Sequence, residues 1–399
     1  MNRDYDVIVV GTGPGGSTAA RFCARAGLKT LLIEKERLPR YKPCGGCLSL
    51  KTVQLLGFDL SRVIENTVYG VKFTYRLRDA FSIQSQEPIA FLVMRDSFDH
   101  FLVEKASEEG AEIVEGEKLA SAGERDGCVE VETSKGERLR CQYLIGADGA
   151  GSTVARLFSL LPPRGEGIGF GVESEIPYEK AVGFPMKEAH LIHLDFGGIP
   201  NGYGWVFPKS GGLSIGIGGM FPGGKKFNPS PYFSAFTKGL TYLDGGRIDV
   251  TGHPLPPFYD EGQKVAQGNV LLVGDAAHLI DPLQGEGIYY AVRSGMLAAE
   301  AILRSKEEGI SPSDLYQDFV RLHIFENLKW ALRFSGFVFR FTKLAYRTFK
   351  RYPEIGDFYL QVLEGKETYQ GFVMKVKDSM RDLLKGKLSE KIKRAMGRT

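Results

Sequence analysis

Apolar and polar positions change period several times along this chain, and each change marks an element. Residues 5–10, YDVIVV, form an apolar run with the length of a buried strand. GTGPGG follows, then STAARFCARAG, a stretch of helix formers that stops at Gly27. KTLLIE reads as a second buried strand ending on Glu34. After Arg95, DSFDHFLVEKASEEG predicts an amphipathic helix, and VEVETSKGERLRCQYLIGADG predicts a hairpin, a buried strand and a turn. Residues 160–255 read as β-rich with many Gly turns. GNVLLVGDAAHLIDPLQGEGIYYAVRSGMLAAEAILRS predicts strand, loop and a long helix from about Ile288. From about residue 311 the pattern is helical, and no internal repeat or low-complexity linker interrupts it.

Within the β-rich stretch, NGYGWVFPKSGGLSIGIGG predicts a hairpin. Tyr203, Trp205 and Phe207 alternate along one strand and Leu213, Ile215 and Ile217 along the next. With Phe207 opposite Leu213, the six large residues would share one apolar face. Gly204, Val206, Ser214 and Gly216 would leave the other nearly bare.

The opening strand–turn–helix–strand carries chemistry. Gly11, Gly13 and Gly16 stand in G-x-G-x-x-G, with Pro14 and Gly15 inside the turn. The first glycine makes the turn, the second admits a pyrophosphate, and the third lets helix and strand pack closely. Phosphates would face the helix N-terminus. Glu34, followed by Lys35, stands about twenty residues on, where an acid accepts from a ribose hydroxyl. This framing predicts a dinucleotide site.

Length and composition limit the remainder. The chain has 399 residues, enough for more than one core, and ordinary globular proportions of 43% apolar and 25% charged residues. Five cysteines are too few for a disulfide scaffold, and their odd number points to a reducing compartment. The N-terminus lacks the apolar core of a signal peptide, and no apolar run is long enough to span a bilayer. A cytoplasmic protein is expected. Net charge is +3, but residues 372–399 alone carry nine Lys/Arg against three Asp/Glu.

Three pieces in order resemble the FAD-binding set of the p-hydroxybenzoate-hydroxylase-like flavoproteins: Gly11/Gly13/Gly16 with Glu34, GADG at 146–149, and GDAAH at 274–278 followed by DPLQGEG. The resemblance implies an α/β fold. Its Rossmann-type FAD-binding domain would comprise residues 1–70, 91–160 and 256–310. An inserted antiparallel β-sheet substrate domain would take 71–90 and 161–255, leaving a helical C-terminal region at 311–399. It implies FAD as cofactor, with Asp275, after Gly274, on a ribityl hydroxyl, and Arg95 near the ribityl and pyrophosphate. Asp148 lies in the turn beside the cofactor. The helix N-terminus at Gly285, Gly287 and Ile288 would face the flavin N1–C2=O edge, where its half-positive charge would stabilise anionic reduced flavin.

Two further signatures resemble the geranylgeranyl reductase family: KPCGG at 42–46, and Tyr203, Trp205, Phe207, Pro208, Lys209 and Gly216 in Y-x-W-x-F-P-K-x6-G. The resemblance covers the chain from Met1 to about Ser305. It implies reduction of isolated double bonds in a polyprenyl lipid: a geranylgeranyl lipid or diphosphate, or a menaquinone side chain. An isolated alkene is a poor hydride acceptor, so hydride delivery from flavin N5 must be joined by protonation in a dry, oriented site. Tyr203, Trp205, Phe207, Pro208, Ile215 and Gly216 are expected to line the lipid, with Tyr203 and Trp205 at the reacting bond. Two alternatives of other classes stay open: a flavin monooxygenase of the same fold, and a non-catalytic lipid-binding flavoprotein.

Cys44 and Cys47 form a C-x-x-C without the strand-to-helix context of a redox dithiol and without a second pair at zinc spacing. No metal is expected. The expected role is a Gly45–Gly46 loop near the isoalloxazine; either thiol is a candidate proton donor, and a reversible disulfide stays open. His278 reads as a structural part of its loop, and His193 receives no role.

Residues 321–351 hold eight Lys/Arg, one Glu and eight aromatics. Together with the basic segment from Met374, they fit either an interfacial helix on the inner face of the cell membrane or a helix packed on the main body. No nucleic-acid motif accompanies the charge. No nicotinamide site is legible, so NAD(P)H, a reduced deazaflavin and a ferredoxin all stand as electron donors.

Overall fold

In the computed structural model, which describes residues 3–160, 168–220, 228–246, 248–379 and 381, three sheets and a C-terminal set of helices surround one large cavity. Most of the basic tail, 382–399, lies outside the described residues.

The apolar runs noted above make the centre of an eight-stranded sheet. Five parallel strands run in the order Val270–Leu272, Arg138–Gly146, Arg3–Val10, Thr30–Glu34 and Glu112–Glu115. Thr30–Glu34 is buried at every position, as expected of a parallel strand covered on both faces. The helix Pro14–Arg25 lies against the long helix Ile288–Glu308. Glycine sets their spacing: a methyl on Gly295 would sit 2.3 Å from the Gly15 carbonyl oxygen.

A seven-stranded sheet runs Thr251–Leu255, Gly169–Pro177, Gly212–Met220, Gly202–Pro208, Leu191–Phe196, Gly70–Tyr75 and Arg78–Gln84. The expected antiparallel sheet is present with one exception: Leu191–Phe196 and Gly70–Tyr75 pair in parallel. Cys47–Ser49, Ala90–Val93 and Ile64–Val68 form a small third sheet between the two.

The hairpin register is a correction. Phe207 pairs with Ser214, Trp205 with Gly216, and Tyr203 with Gly218. A one-residue shift exchanges the faces of a whole strand. The aromatic row therefore shares its face with Ser214, Gly216 and Gly218. Leu213, Ile215 and Ile217 join Val206 on the other face, in a core with Val172, Phe233 and Phe236. The shifted register buries both sets: the rings lie over bare backbone and the aliphatics meet a helix.

The C-terminal helices fold back onto the body. Tyr346 and Leu360 are buried, and Phe349, Tyr359 and Leu363 half-buried, in one apolar cluster with Phe73, Phe207, Tyr203 and Trp205.

Candidate active site

The cavity, about 880 Å³, runs from the first glycine turn to the C-terminal helices. At its nucleotide end, Gly13 precedes the helix with an unhindered Cβ direction, whereas a methyl on Gly16 would lie 1.9 Å from the Gly11 oxygen. Gly11 itself takes φ +105° against Ala147. Glu34, 3% exposed, accepts from the Thr12 amide at 3.1 Å and from the Thr12 hydroxyl, with Arg40 at 3.5 Å. Burial pushes its pKa up. The Thr12 hydroxyl, Arg40 and two backbone N–H groups outweigh burial and hold the carboxyl below its usual range. Lys35 lines the same end.

Arg95 reaches the cavity, but its guanidinium forks onto Asp99 with two bonds of 2.8 Å, one turn along its own helix. Asp148 also lines the cavity. Its carboxylate caps the helix Thr153–Leu157, accepting from the Thr153 amide at 2.6 Å and the Ser152 hydroxyl at 2.5 Å. Asp275 lies 3.8 Å from His253 Nε2, which in turn meets Lys42 Nζ at 2.6 Å. Burial opposes the charge on Asp275, yet His253, Lys42 and Arg95 hold its pKa low. Gly285 and Gly287 open the helix Ile288–Glu308, whose first turn has no side-chain cap and whose first residue lines the cavity.

Cys44, Gly45, Gly46 and Cys47 cross the middle of the cavity. Gly45 packs so closely on Phe207 that a methyl there would lie 2.6 Å from the ring. Both thiols are free. Burial pushes the Cys47 thiol up to about 12.

At the far end, Tyr203, Trp205 and Phe207 form the wall, joined by Ile192, Leu194, Phe339, Tyr359 and Leu363. The Tyr203 hydroxyl donates to the Gln284 carbonyl oxygen, tying this wall to the loop before Ile288. Gly216 lies beneath the indole, and Ile215 points into the opposite core, so the expectation that Ile215 meets the lipid is corrected by the register. Pro208 ends the strand outside the cavity lining, its carbonyl accepting from Asn66 at 2.7 Å.

Several lining residues escaped the sequence analysis. Glu173, 2% exposed, accepts from the Tyr41 hydroxyl and, at 3.2 Å, from Ser214 Oγ, which lies 3.5 Å from Trp205 Nε1. Burial raises the Glu173 pKa. Glu286, also in the lining, pairs at 2.6 Å with Lys51, a buried residue outside it. Each lies far in sequence from its partner, so no local spacing announces the contact. His278 sits in the loop with φ +54° and its ring against Tyr259. His193 meets the Thr74 hydroxyl at 2.7 Å.

The FAD binding domain family matches residues 4–169. A chloroplastic geranylgeranyl diphosphate reductase of Oryza sativa is 32% identical over 355 residues, covering 82% of this chain and 73% of its own. The digeranylgeranylglycerophospholipid reductase 3 of Methanosphaera stadtmanae is 31% identical over 350 residues, covering 82% and 85%. The chain belongs to the geranylgeranyl reductase family. The fold of family member and relatives also agrees: a geranylgeranyl bacteriochlorophyll reductase-like protein of Thermoplasma acidophilum superposes with a TM-score of 0.77 at 24% identity, over 95% of this chain and 100% of that one.

The cavity fits the family's FAD. Gly13 leaves room where a pyrophosphate must approach, a buried acid stands at the end of the second strand, and an uncapped helix N-terminus faces the middle of the cavity.

Proposed function

We propose that this geranylgeranyl reductase family member saturates isolated C=C bonds of a polyprenyl chain. The observation that carries the reading is the aromatic wall of Tyr203, Trp205 and Phe207 in the same cavity as the glycine turn and Asp275. Bound and reduced, FAD supplies the hydride for such a reduction. The open backbone at Gly13 would admit its pyrophosphate, with Gly11 and Gly16 shaping the turn around it, while Glu34 would hold a ribose hydroxyl and Asp275 a ribityl hydroxyl. The apolar wall takes an alkene by shape and excludes water, which an unactivated double bond requires. The names of the relatives support a polyprenyl substrate.

The proton has candidate sources on this chain. Cys47 keeps its proton at neutral pH because burial disfavours the thiolate. Cys44 lies in the same loop, and Tyr41, three residues before it, forms a hydrogen-bonded pair with Glu173 in the cavity lining. Normal turnover by Cys44→Ser excludes Cys44. Electrons arrive from NAD(P)H, a reduced deazaflavin or a ferredoxin, which flavin bleaching with each donor distinguishes.

A membrane surface brings the lipid. Among the described residues no helix is long and apolar enough to cross a membrane. Phe337, Phe341 and Leu344 are nonetheless exposed beside Arg340, Lys343 and Arg347, and Phe339 between them lines the cavity. The reading is tested by anaerobic turnover of the dithionite-reduced holoenzyme with a prenyl diphosphate and with a menaquinone. Product mass should increase by two hydrogens per bond reduced.

A further inference from the structure

A second cavity, about 510 Å³, opens between the hairpin of Gly70–Tyr75 with Arg78–Gln84 and the helix Thr342–Arg351. Four cations line it: Arg76 and Arg78 from the hairpin, Lys343 and Arg347 from the helix. Its single acid, Asp79, is already paired with Lys350. Among the described residues, Arg78, Lys343 and Arg347 have no carboxylate within ion-pairing distance.

The hairpin turn is built at a cost. Tyr75 pairs with Arg78, so Arg76 and Leu77 form a two-residue loop, and both have positive φ, +54° and +57°. That turn ordinarily selects Asn-Gly, because a Cβ crowds the backbone at positive φ. Three contacts hold it. Leu77 N donates to Asp195 Oδ1 at 2.5 Å, Arg76 N to the Phe196 oxygen at 2.8 Å, and Arg76 Nε to the Gly197 oxygen at 2.9 Å. Residues 195–197 thus fix Arg76, next to Arg78 across the turn, at the lip of a concavity where like charges repel one another. A multivalent anion offsets that repulsion, and planar guanidinium groups match phosphate oxygens in pairs.

The position relates this cavity to the first. Phe339, which lines the aromatic end of the active site, is four residues before Lys343. Tyr75 and Tyr346, under the second cavity, belong with Tyr203 and Trp205 to one apolar cluster. We infer that the second cavity binds the phosphate or diphosphate group of an anionic amphiphile whose hydrocarbon chain is delivered past Phe339. The inference rests on the polyprenyl-reductase reading for the identity of that chain, and on the cation geometry alone for the phosphate.

The test uses the FAD-loaded full chain and inorganic diphosphate as probe. Calorimetric titration should show saturable binding that weakens at least tenfold in the double variant Lys343→Gln/Arg347→Gln. Arg304→Gln, near the C-terminal end of the helix Ile288–Glu308 and outside this cavity, should bind as the parent does. Lys343 and Arg347 are exposed, so the double variant and the parent should match in melting temperature. In turnover, the double variant should raise KM for a prenyl diphosphate while leaving KM for the matching prenyl alcohol and kcat unchanged. Sedimentation with phosphatidylglycerol vesicles separates the sources. Retained vesicle binding assigns the site to the substrate's own head group, and lost vesicle binding assigns it to lipid phosphate as well. Equal diphosphate affinity in parent and double variant would overturn the inference. If diphosphate binding is lost in the variant but no prenyl substrate is ever reduced, the anion site stands and the polyprenyl-reductase reading fails.

Discussion

At Gly13 a methyl group would enter open space, while at Gly16 it would strike the Gly11 carbonyl oxygen at 1.9 Å. The two glycines of one motif therefore do different work. Gly13→Ala should leave the melting temperature of the flavin-free protein unchanged and weaken FAD binding tenfold or more, read by flavin fluorescence titration. Gly16→Ala should destabilise the flavin-free fold itself. Single residues also set a hidden pH balance. Burial moves His193 down to about 4 and Asp195 up to about 6. The folded His193 binds protons less readily than its unfolded form, so its contribution is lost as pH falls from 6.5 towards 4. The folded Asp195 binds protons more readily, so its contribution is gained as pH falls from about 6 towards 3.8. The two oppose each other, each on the order of 3 kcal/mol at most. Asp195→Asn should lose stability on acidification across that window, and His193→Gln should gain it, both measured by denaturant midpoint. Residue roles legible in sequence were the local ones, because Gly11 to Glu34 form a single continuous unit. Glu173, His253 and Tyr41 meet across 132 or more positions or through other residues, so nothing in their neighbourhoods signalled the site.

Among elements, the hairpin 202–220 shows what alternation does and does not determine. It identified both strands, but two registers satisfy the same alternation. Only the glycine path under the rings and the helix Ser230–Gly239 beyond the sheet select between them. Adjacent residues should therefore fail differently. Ile215→Ala removes core volume and should cost about 2–5 kcal/mol in stability with KM unchanged. Gly216→Ala places a methyl 2.2 Å from the indole of Trp205 and should displace the ring into the cavity, raising KM for the lipid. The loop before Ile288 depends on a distant element too. Tyr369 donates to Asp281 Oδ2 at 2.6 Å inside the protein. Tyr369→Phe leaves that oxygen buried without its donor and should cost about 1–3 kcal/mol, with weaker FAD binding because Asp281 to Gly287 line the cavity.

For the whole molecule, the parallel strands, the seven-stranded sheet and the C-terminal helices all contribute to one cavity. The sequence analysis weighed a membrane-facing helix against a body-packed one for residues 321–351. The fold shows the packed side, with Tyr346 and Phe349 turned inward, while Phe337, Phe341 and Leu344 stay exposed. A helix with apolar residues on more than one face leaves this division to tertiary contacts. Anaerobic mixing of dithionite-reduced holoenzyme with a prenyl diphosphate, following flavin absorbance and product mass together, tests the central claim most directly. The account predicts flavin reoxidation without oxygen and a product heavier by two hydrogens per bond reduced. A flavin that stays reduced until air is admitted, with oxygen then found in an added aromatic compound, would contradict it.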